Sequence, residues 1–462
     1  MKEKGILLPI FSLPGKYGIG DFGNEAYEFI DILSKNNITY WEILPINSCN
    51  GLPYSPISYY ALDERYISID KLIENGLLES AEYIENTGRA VDVSFKEKYY
   101  KKAFEKFGED DKYKEFIQSL QIKQYAEYMS DKTGEIREYY LFLQYVTYSQ
   151  WIDLKLYANS KNVKIIGDMP VYPLFDSVET KYNSKYFEME NGKFTFEAGT
   201  PPDYFSEDGQ KWNCPVYNVE HIKADNYKYL IDRYKYYLKI FDKVRVDYFR
   251  GYDSFFKIPY GKTGKEGFYA DGVSYGFFDE LFKNEDVKKE NLIIEDLGDI
   301  REETVALRDY YGFTRQKILQ FTIDLENLKD NDNECENVLV FPANHDCPTM
   351  LGWLKNMSDE NKNRFKLFLQ ENNCDDKDIN VGIMQYCMKC KANMIVITMQ
   401  DILGLDDSAR INLPGVDKPE NWSWRMKDFE EFKQRAQIYG NVADETDHFG
   451  IERRSSSSSF RL

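Results

Sequence analysis

Short apolar runs recur along this chain, at 39–44, 163–166, 241–246, 292–294, 316–319, 338–341 and 393–397. Between them lie longer stretches, at 24–34, 221–240, 301–311 and 359–370, whose apolar residues fall three and four apart. The first pattern predicts buried strands and the second amphipathic helices packed against them. Strand and helix signals that alternate in this way predict an α/β fold with a parallel sheet. A closed (β/α)8 barrel accommodates the count, with seven strands assigned and the second of the eight left without a clear signature.

One segment breaks the rhythm. Residues 71–152 are charged, rich in Tyr and Lys, and carry helical periodicity without a strand run. The segment is too long for a plain connection and predicts an inserted helical subdomain beside the barrel mouth. A single catalytic domain over residues 1–452 is expected. The tail 453–462, with Ser455 to Ser459, is a low-complexity stretch expected to be disordered.

Three acids follow three of the predicted strands. Asp247 stands in Arg245-Val246-Asp247-Tyr248-Phe249-Arg250-Gly251, Glu295 in Ile294-Glu295-Asp296-Leu297-Gly298, and Asp346 directly after His345. In a (β/α)8 barrel the C-terminal ends of the strands form the catalytic rim. With 78 acidic residues in the chain, any one of these placements is unremarkable alone. Arg245 adds information, because two residues before Asp247 it shares a strand face with it and can hold that carboxylate ionised and oriented.

Composition excludes several partners. The 59 basic and 78 acidic residues leave a net charge of −19, which repels nucleic-acid backbones and anionic lipid surfaces. No apolar run approaches a membrane span, and the opening residues are too short in apolar length for a signal peptide, so a cytoplasmic location is expected. Seven scattered cysteines suit a reducing compartment. Cys387 and Cys390 have metal-site spacing but no second pair, so no metal is expected. The glycine-rich stretch from Ser12 to Gly23 lacks the order of a nucleotide-binding loop.

A second group of residues suits a polyhydroxylated ligand. The stretch from Gly199 to Asn213 contains Pro201-Pro202-Asp203-Tyr204-Phe205 and Gln210-Lys211-Trp212. It reads as a loop that exposes aromatic rings, and clustered exposed rings mark binding surfaces. Sugar C–H faces stack on such rings while hydroxyls seek Asp, Gln and Asn. Tyr54, after the first assigned strand, is a further stacking candidate. His345 is one of only three histidines and can hydrogen-bond a substrate hydroxyl. His221 reads as structural, and a serine-hydrolase use of His345 lacks the Gly-x-Ser-x-Gly elbow.

With these motifs in this order, the chain resembles glycoside hydrolase family 77, the 4-α-glucanotransferases. The matching stretches include Gly167-Asp168-Met169-Pro170, Gly199 to Trp212, Arg245 to Gly251, Glu295 to Gly298, and Arg410, Asn412 and Pro414-Gly415 through Trp422 to Arg425. The resemblance extends from about residue 5 to residue 426. It implies an inserted barrel without a C-terminal β-sandwich domain, acting on malto-oligosaccharides and linear α-1,4-glucans with no cofactor. It implies that Asp247 is the nucleophile, Glu295 the acid/base and Asp346 the transition-state stabiliser. Asp168, Arg245 and His345 match residues around the reacting sugar, and Tyr54, Asp203, Tyr204, Gln210 and Trp212 match glucan-contacting positions.

Cys347-Pro348-Thr349-Met350 stands where the family usually has Asn-Asp-Thr-Thr, and Tyr248 where His is usual. Two other activities are compatible with the same residues: an α-glucan hydrolase, and a glucan-binding protein of weak catalytic power. In a retaining enzyme the two reacting carboxyl groups are expected roughly 5 to 5.5 Å apart.

Overall fold

The computed structural model describes residues 2–202, 207–298, 300–332, 337–416 and 418–442 of the 462-residue chain. Eight parallel strands close a barrel: β1 (Glu3–Leu7), β2 (Tyr40–Glu42), β3 (Lys164–Met169), β4 (Lys243–Val246), β5 (Leu292–Ile294), β6 (Thr314–Ile318), β7 (Val338–Phe341) and β8 (Met394–Thr398). Each pairs with the next in chain order, and β8 returns to β1 with Leu7 opposite Thr398. Strands covered on both faces read as continuous apolar runs, which is why all seven assigned strands lie within three residues of their predicted bounds at both ends.

The strand without a sequence signature is the first in the chain, not the second. Glu3–Leu7 offers only Ile6 and Leu7 as large apolar residues, too few for a recognisable run. Its neighbours fix it instead. A Cβ on Gly5 would lie 2.9 Å from that of Tyr40 on β2, so glycine permits the close approach. The Lys4 ammonium donates to the carbonyls of Tyr439 and Gly440 at 3.1 and 2.7 Å. Tyr54 therefore follows the second strand.

Helices α1 (Asn24–Lys35), α2 (Arg137–Ser160), α3 (Lys228–Ile240), α4 (Glu302–Tyr311), α5 (Asp359–Glu371), α6 (Ile379–Lys389) and α7 (Glu430–Asn441) are the long elements around the barrel. The amphipathic stretch 221–240 is two helices rather than one. Val219–Ala224 and α3 are separated at Asn226 and Tyr227, both with positive φ, 50° and 58°.

The connection from β2 to β3 carries the helical insertion. Ser68, Asp110 and Ser119 accept backbone N–H groups as N-caps of Ile69–Glu74, Asp111–Phe116 and Leu120–Thr133, satisfying donors that a helix start leaves open. These helices share a core of their own, built on Tyr99, Tyr100, Tyr113, Tyr139 and Phe142. Helix α2 links the two bodies. Its first half enters that core, while Trp151, Leu154 and Ala158 pack into the barrel core, with Trp151 Nε1 donating to the Ile240 carbonyl at 3.1 Å. The helix continues past residue 152.

A four-stranded antiparallel sheet rises above the C-terminal ends of β3 and β4, from Phe196–Thr200, Gln210–Pro215, Ser254–Pro259 and Phe268–Asp271. Of the stretch 199–213, expected as a loop, residues 199–200 and 210–213 thus lie on two paired strands. Among the described residues no sheet follows β8, and no helix is long and apolar enough to cross a membrane.

Candidate active site

Alternation along β3 and β4 places the first functional side chains. Asp168 pairs in register with Arg245, and Arg245 and Asp247, two apart, face the barrel interior together. Arg245 Nη1 donates to both Asp168 oxygens at 2.9 and 3.0 Å and to Asp247 Oδ1 at 2.8 Å. Its Nε reaches Gln316 Oε1 at 3.4 Å. Asp168 is 1 % exposed and Asp247 21 %, so Asp168 anchors the guanidinium from below while Asp247 opens to the cleft.

Glu295 leaves the end of β5 beside them. Tyr248, immediately after Asp247, has φ 54°, a left-handed conformation costly for a bulky side chain. From this turn its N–H donates to Glu295 Oε2 at 3.1 Å, and the Leu297 N–H donates to Oε1 at 3.1 Å. Burial pushes the Glu295 carboxyl up to about 8, against the pull of Arg245 and with the neighbouring negative charges of Asp247 and Asp296 adding to the rise. Burial also raises Asp247, to about 6, with Arg245 opposing and Asp168 assisting. Between these values one carboxyl is ionised and the other keeps its proton.

Asp346 projects from the loop after β7 and is 40 % exposed. Asn412 Nδ2 donates to its Oδ1 at 2.7 Å, and His345 Nε2 lies 3.2 Å from its Oδ2. The Asn344 side chain accepts the N–H groups of Asp346 and Cys347 at 3.0 and 3.2 Å, and Arg410 donates to the Asp346 carbonyl. Burial raises this carboxyl, but His345, Asn412 and Arg245 more than offset it and hold it well below the usual carboxylate range. The departing segment Cys347 to Met350 is pinned as well. Asp407 accepts the Thr349 N–H at 2.9 Å and Asp401 that of Met350 at 2.8 Å.

Tyr54 joins the two halves of the site. Its hydroxyl donates to Asp168 Oδ2 at 2.5 Å and lies 2.9 Å from His345 Nε2, while its ring stacks on His345 at 5.4 Å and 14°. The Trp422 ring is 5.8 Å from Tyr54. On the hairpin, Gln210 and Trp212 share a face of one strand. Trp212 meets Tyr248 edge-on at 4.9 Å. Across the mouth, a Cβ on Gly415 would lie 4.0 Å from Gln210 Cδ. Asp203, Tyr204, Phe205, Cys335 and the tail 453–462 lie outside the described residues. His221 sits apart and exposed in the short helix before α3, its Nδ1 2.6 Å from the Lys185 carbonyl.

Glu42 went unrecognised in the sequence. It is 1 % exposed on β2, one carboxyl oxygen has no hydrogen-bond partner, and burial together with Asp168 raises it to about 8 against Arg245. Its only signal was an acid inside the apolar run 39–44. The positioning contacts of Asn412 and Gln316 had none, since their partners lie 66 and 71 residues away, whereas Asn344 acts within its own loop on residues two and three further on. Cys387 and Cys390 are buried at α6, and among the described residues no group of His, Cys, Asp and Glu is arranged to hold a metal.

Comparison with known proteins agrees with this geometry. The family model described as 4-alpha-glucanotransferase matches residues 8–136 and 129–431. The 4-alpha-glucanotransferase of Streptococcus pneumoniae serotype 4 is 34 % identical over 478 residues, covering 92 % of this chain and 93 % of the relative. That of Aquifex aeolicus is 31 % identical, covering 95 % and 98 %. The solved amylomaltase from Streptococcus agalactiae in complex with acarbose superposes with a TM-score of 0.89 at 26 % identity, over 96 % of this chain and 98 % of that one. A closed barrel with these acids at its rim, matched along nearly its whole length, places the chain in glycoside hydrolase family 77, the 4-α-glucanotransferases.

Proposed function

We propose that the protein transfers α-1,4-glucan segments between malto-oligosaccharides by a retaining double displacement, with Asp247 as nucleophile, Glu295 as acid/base and Asp346 as stabiliser of the transition state. The observation that carries this reading is the split between the two central carboxyls. Asp247 accepts a hydrogen bond from Arg245 at 2.8 Å, which favours its ionised form, whereas, among the described residues, Glu295 accepts only backbone N–H groups and is raised by burial. An ionised nucleophile beside a protonated acid is what the first step requires.

In that step Glu295 gives its proton to the glycosidic oxygen as Asp247 attacks the anomeric carbon. The aglycone leaves and an ester joins the sugar to Asp247. Glu295, now a carboxylate, then takes the proton from the 4-hydroxyl of an incoming glucan, whose oxygen displaces Asp247 and restores the original anomeric configuration. Asp346, fixed through Asn412 and His345, grips the sugar hydroxyls most tightly as the ring flattens. Tyr54, Asp168, Arg245 and His345 surround the reacting sugar, and Gln210 and Trp212, with Asp203 and Tyr204, take the neighbouring units.

Incubation with maltotriose alone tests the proposal. A ladder of longer oligomers plus glucose, with total reducing ends unchanged, is the expected product. Rising reducing ends with only glucose and maltose would show hydrolysis instead, and an unchanged substrate would defeat both.

A further inference from the structure

We propose that the trough between the helical insertion and the barrel is a second binding site, for a segment of neutral α-glucan chain remote from the catalytic acids. It rests on the glucan reading above for the identity of the ligand. The trough encloses about 790 Å³ between Asp111–Phe116 and the start of Leu120–Thr133 on one wall, α3 on the other, and α2 as its floor. That volume lies in the range of small-ligand sites, which favour clefts between packed elements. None of Asp247, Glu295 or Asp346 lines it.

The lining suits a sugar chain. Two tilted pairs of half-buried rings line it, Phe116 with Tyr148 of the floor at 5.2 Å and Tyr60 with Tyr236 at 5.1 Å. The carboxylates of Glu115 and Asp153 and the ammonium of Lys235 border the trough, and none has a hydrogen-bond or ion-pair partner among the described residues. Such rings accept C–H faces, and such groups accept and donate to hydroxyls. Charge argues for a neutral ligand. Four acids, Asp110, Glu115, Asp153 and Asp232, face three lysines, Lys112, Lys235 and Lys239, so neither an anion nor a cation finds a one-signed surface.

The test uses two variants that act in opposite ways. Tyr148→Ala removes a platform, and Ser149→Trp, from a small residue on the α2 floor, fills the trough. Loss of one ring contact predicts a rise of roughly two- to tenfold in KM for long linear α-glucan, with kcat and all maltotriose kinetics unchanged in both variants. In the wild-type protein, maltoheptaose should protect Lys235 and Lys239 from acetylation while distant exposed lysines react as before. Absence of that protection overturns the proposal, as does wild-type KM for long glucan in both variants. Protection in a protein that leaves maltotriose unchanged would uphold the trough while defeating the catalytic reading, so the two failures are separable.

Discussion

Asn412 offers the sharpest test of how the site is aimed. Its amide donates to Asp346 Oδ1 at 2.7 Å, and its own N–H donates to the His345 carbonyl at 3.2 Å. Truncation to Ala removes the first contact and keeps the second, so the backbone of the loop stays tied. A hydrogen bond to a charged group contributes about 1.5–3 kcal/mol, and each 1.4 kcal/mol is about a factor of ten in rate. Asn412→Ala should therefore lower kcat by roughly 10- to 100-fold. If Asp346 tightens on the sugar only in the transition state, KM should change little and kcat/KM should fall in step with kcat. Initial rates of glucose release from maltotriose give both constants. The decisive control is a double-mutant cycle with Asp346→Asn, because a residue that acts only through Asp346 has nothing left to lose once that carboxylate is gone. Equal cost of Asn412→Ala in both backgrounds, or a raised KM at unchanged kcat, would refute the reasoning.

Three further outcomes follow from the geometry. The pH profile of kcat/KM should be bell-shaped, with an acid limb near 6 and an alkaline limb near 8 that belong to the Asp247–Glu295 pair jointly; activity still rising above about pH 9 would remove Glu295 as proton donor. Glu42 is raised from 4.5 to about 8, so between those values the folded protein holds a proton that the unfolded chain has released. Stability must then fall as pH rises through that window, on the order of 5 kcal/mol in all, and Glu42→Gln should raise the urea midpoint at pH 8 far more than at pH 5. A Cβ on Gly167 would lie 2.2 Å from the Phe241 ring, so Gly167→Ala should cost about 1–3 kcal/mol in urea unfolding, and an unchanged midpoint would contradict the packing of β3 against that ring.

Legibility in the sequence followed the range of the interaction. Runs such as Val338–Phe341 and Leu292–Ile294 declare themselves because burial on both faces demands apolar residues in succession. The three acids were readable because each follows such a run. Strand β1 was not, since Gly5 and Lys4 serve contacts with Tyr40 and the far end of the chain, at Tyr439 and Gly440. The paired strands Phe196–Thr200 and Gln210–Pro215 were hidden by Gly199, Pro201-Pro202 and Gly209, residue types that favour turns, and the first of them pairs with Ser254–Pro259 far along the chain. The break inside 221–240 has no helix-breaking Gly or Pro, only Asn226 and Tyr227 in left-handed conformations. Asn412 reaches back 66 residues to Asp346, a distance that no local pattern encodes.

The arrangement of Arg245 explains why the acids of this barrel divide as they do. One guanidinium faces Asp168, Asp247, Glu295 and Glu42 within a largely buried interior, and charge without a partner there is expensive. Arg245 spends its bonds on Asp168 and Asp247. The remaining two receive only its field, and both are raised to about 8. Burial thus favours the protonated form at the two of these four carboxyls that Arg245 does not touch, and of the two only Glu295 lies at the rim. Asp346 escapes the competition because Asn412 and His345 hold its carboxylate outside the reach of that single cation's bonds. The proposed division between nucleophile, acid and stabiliser is in this sense a division of hydrogen-bond donors among acids.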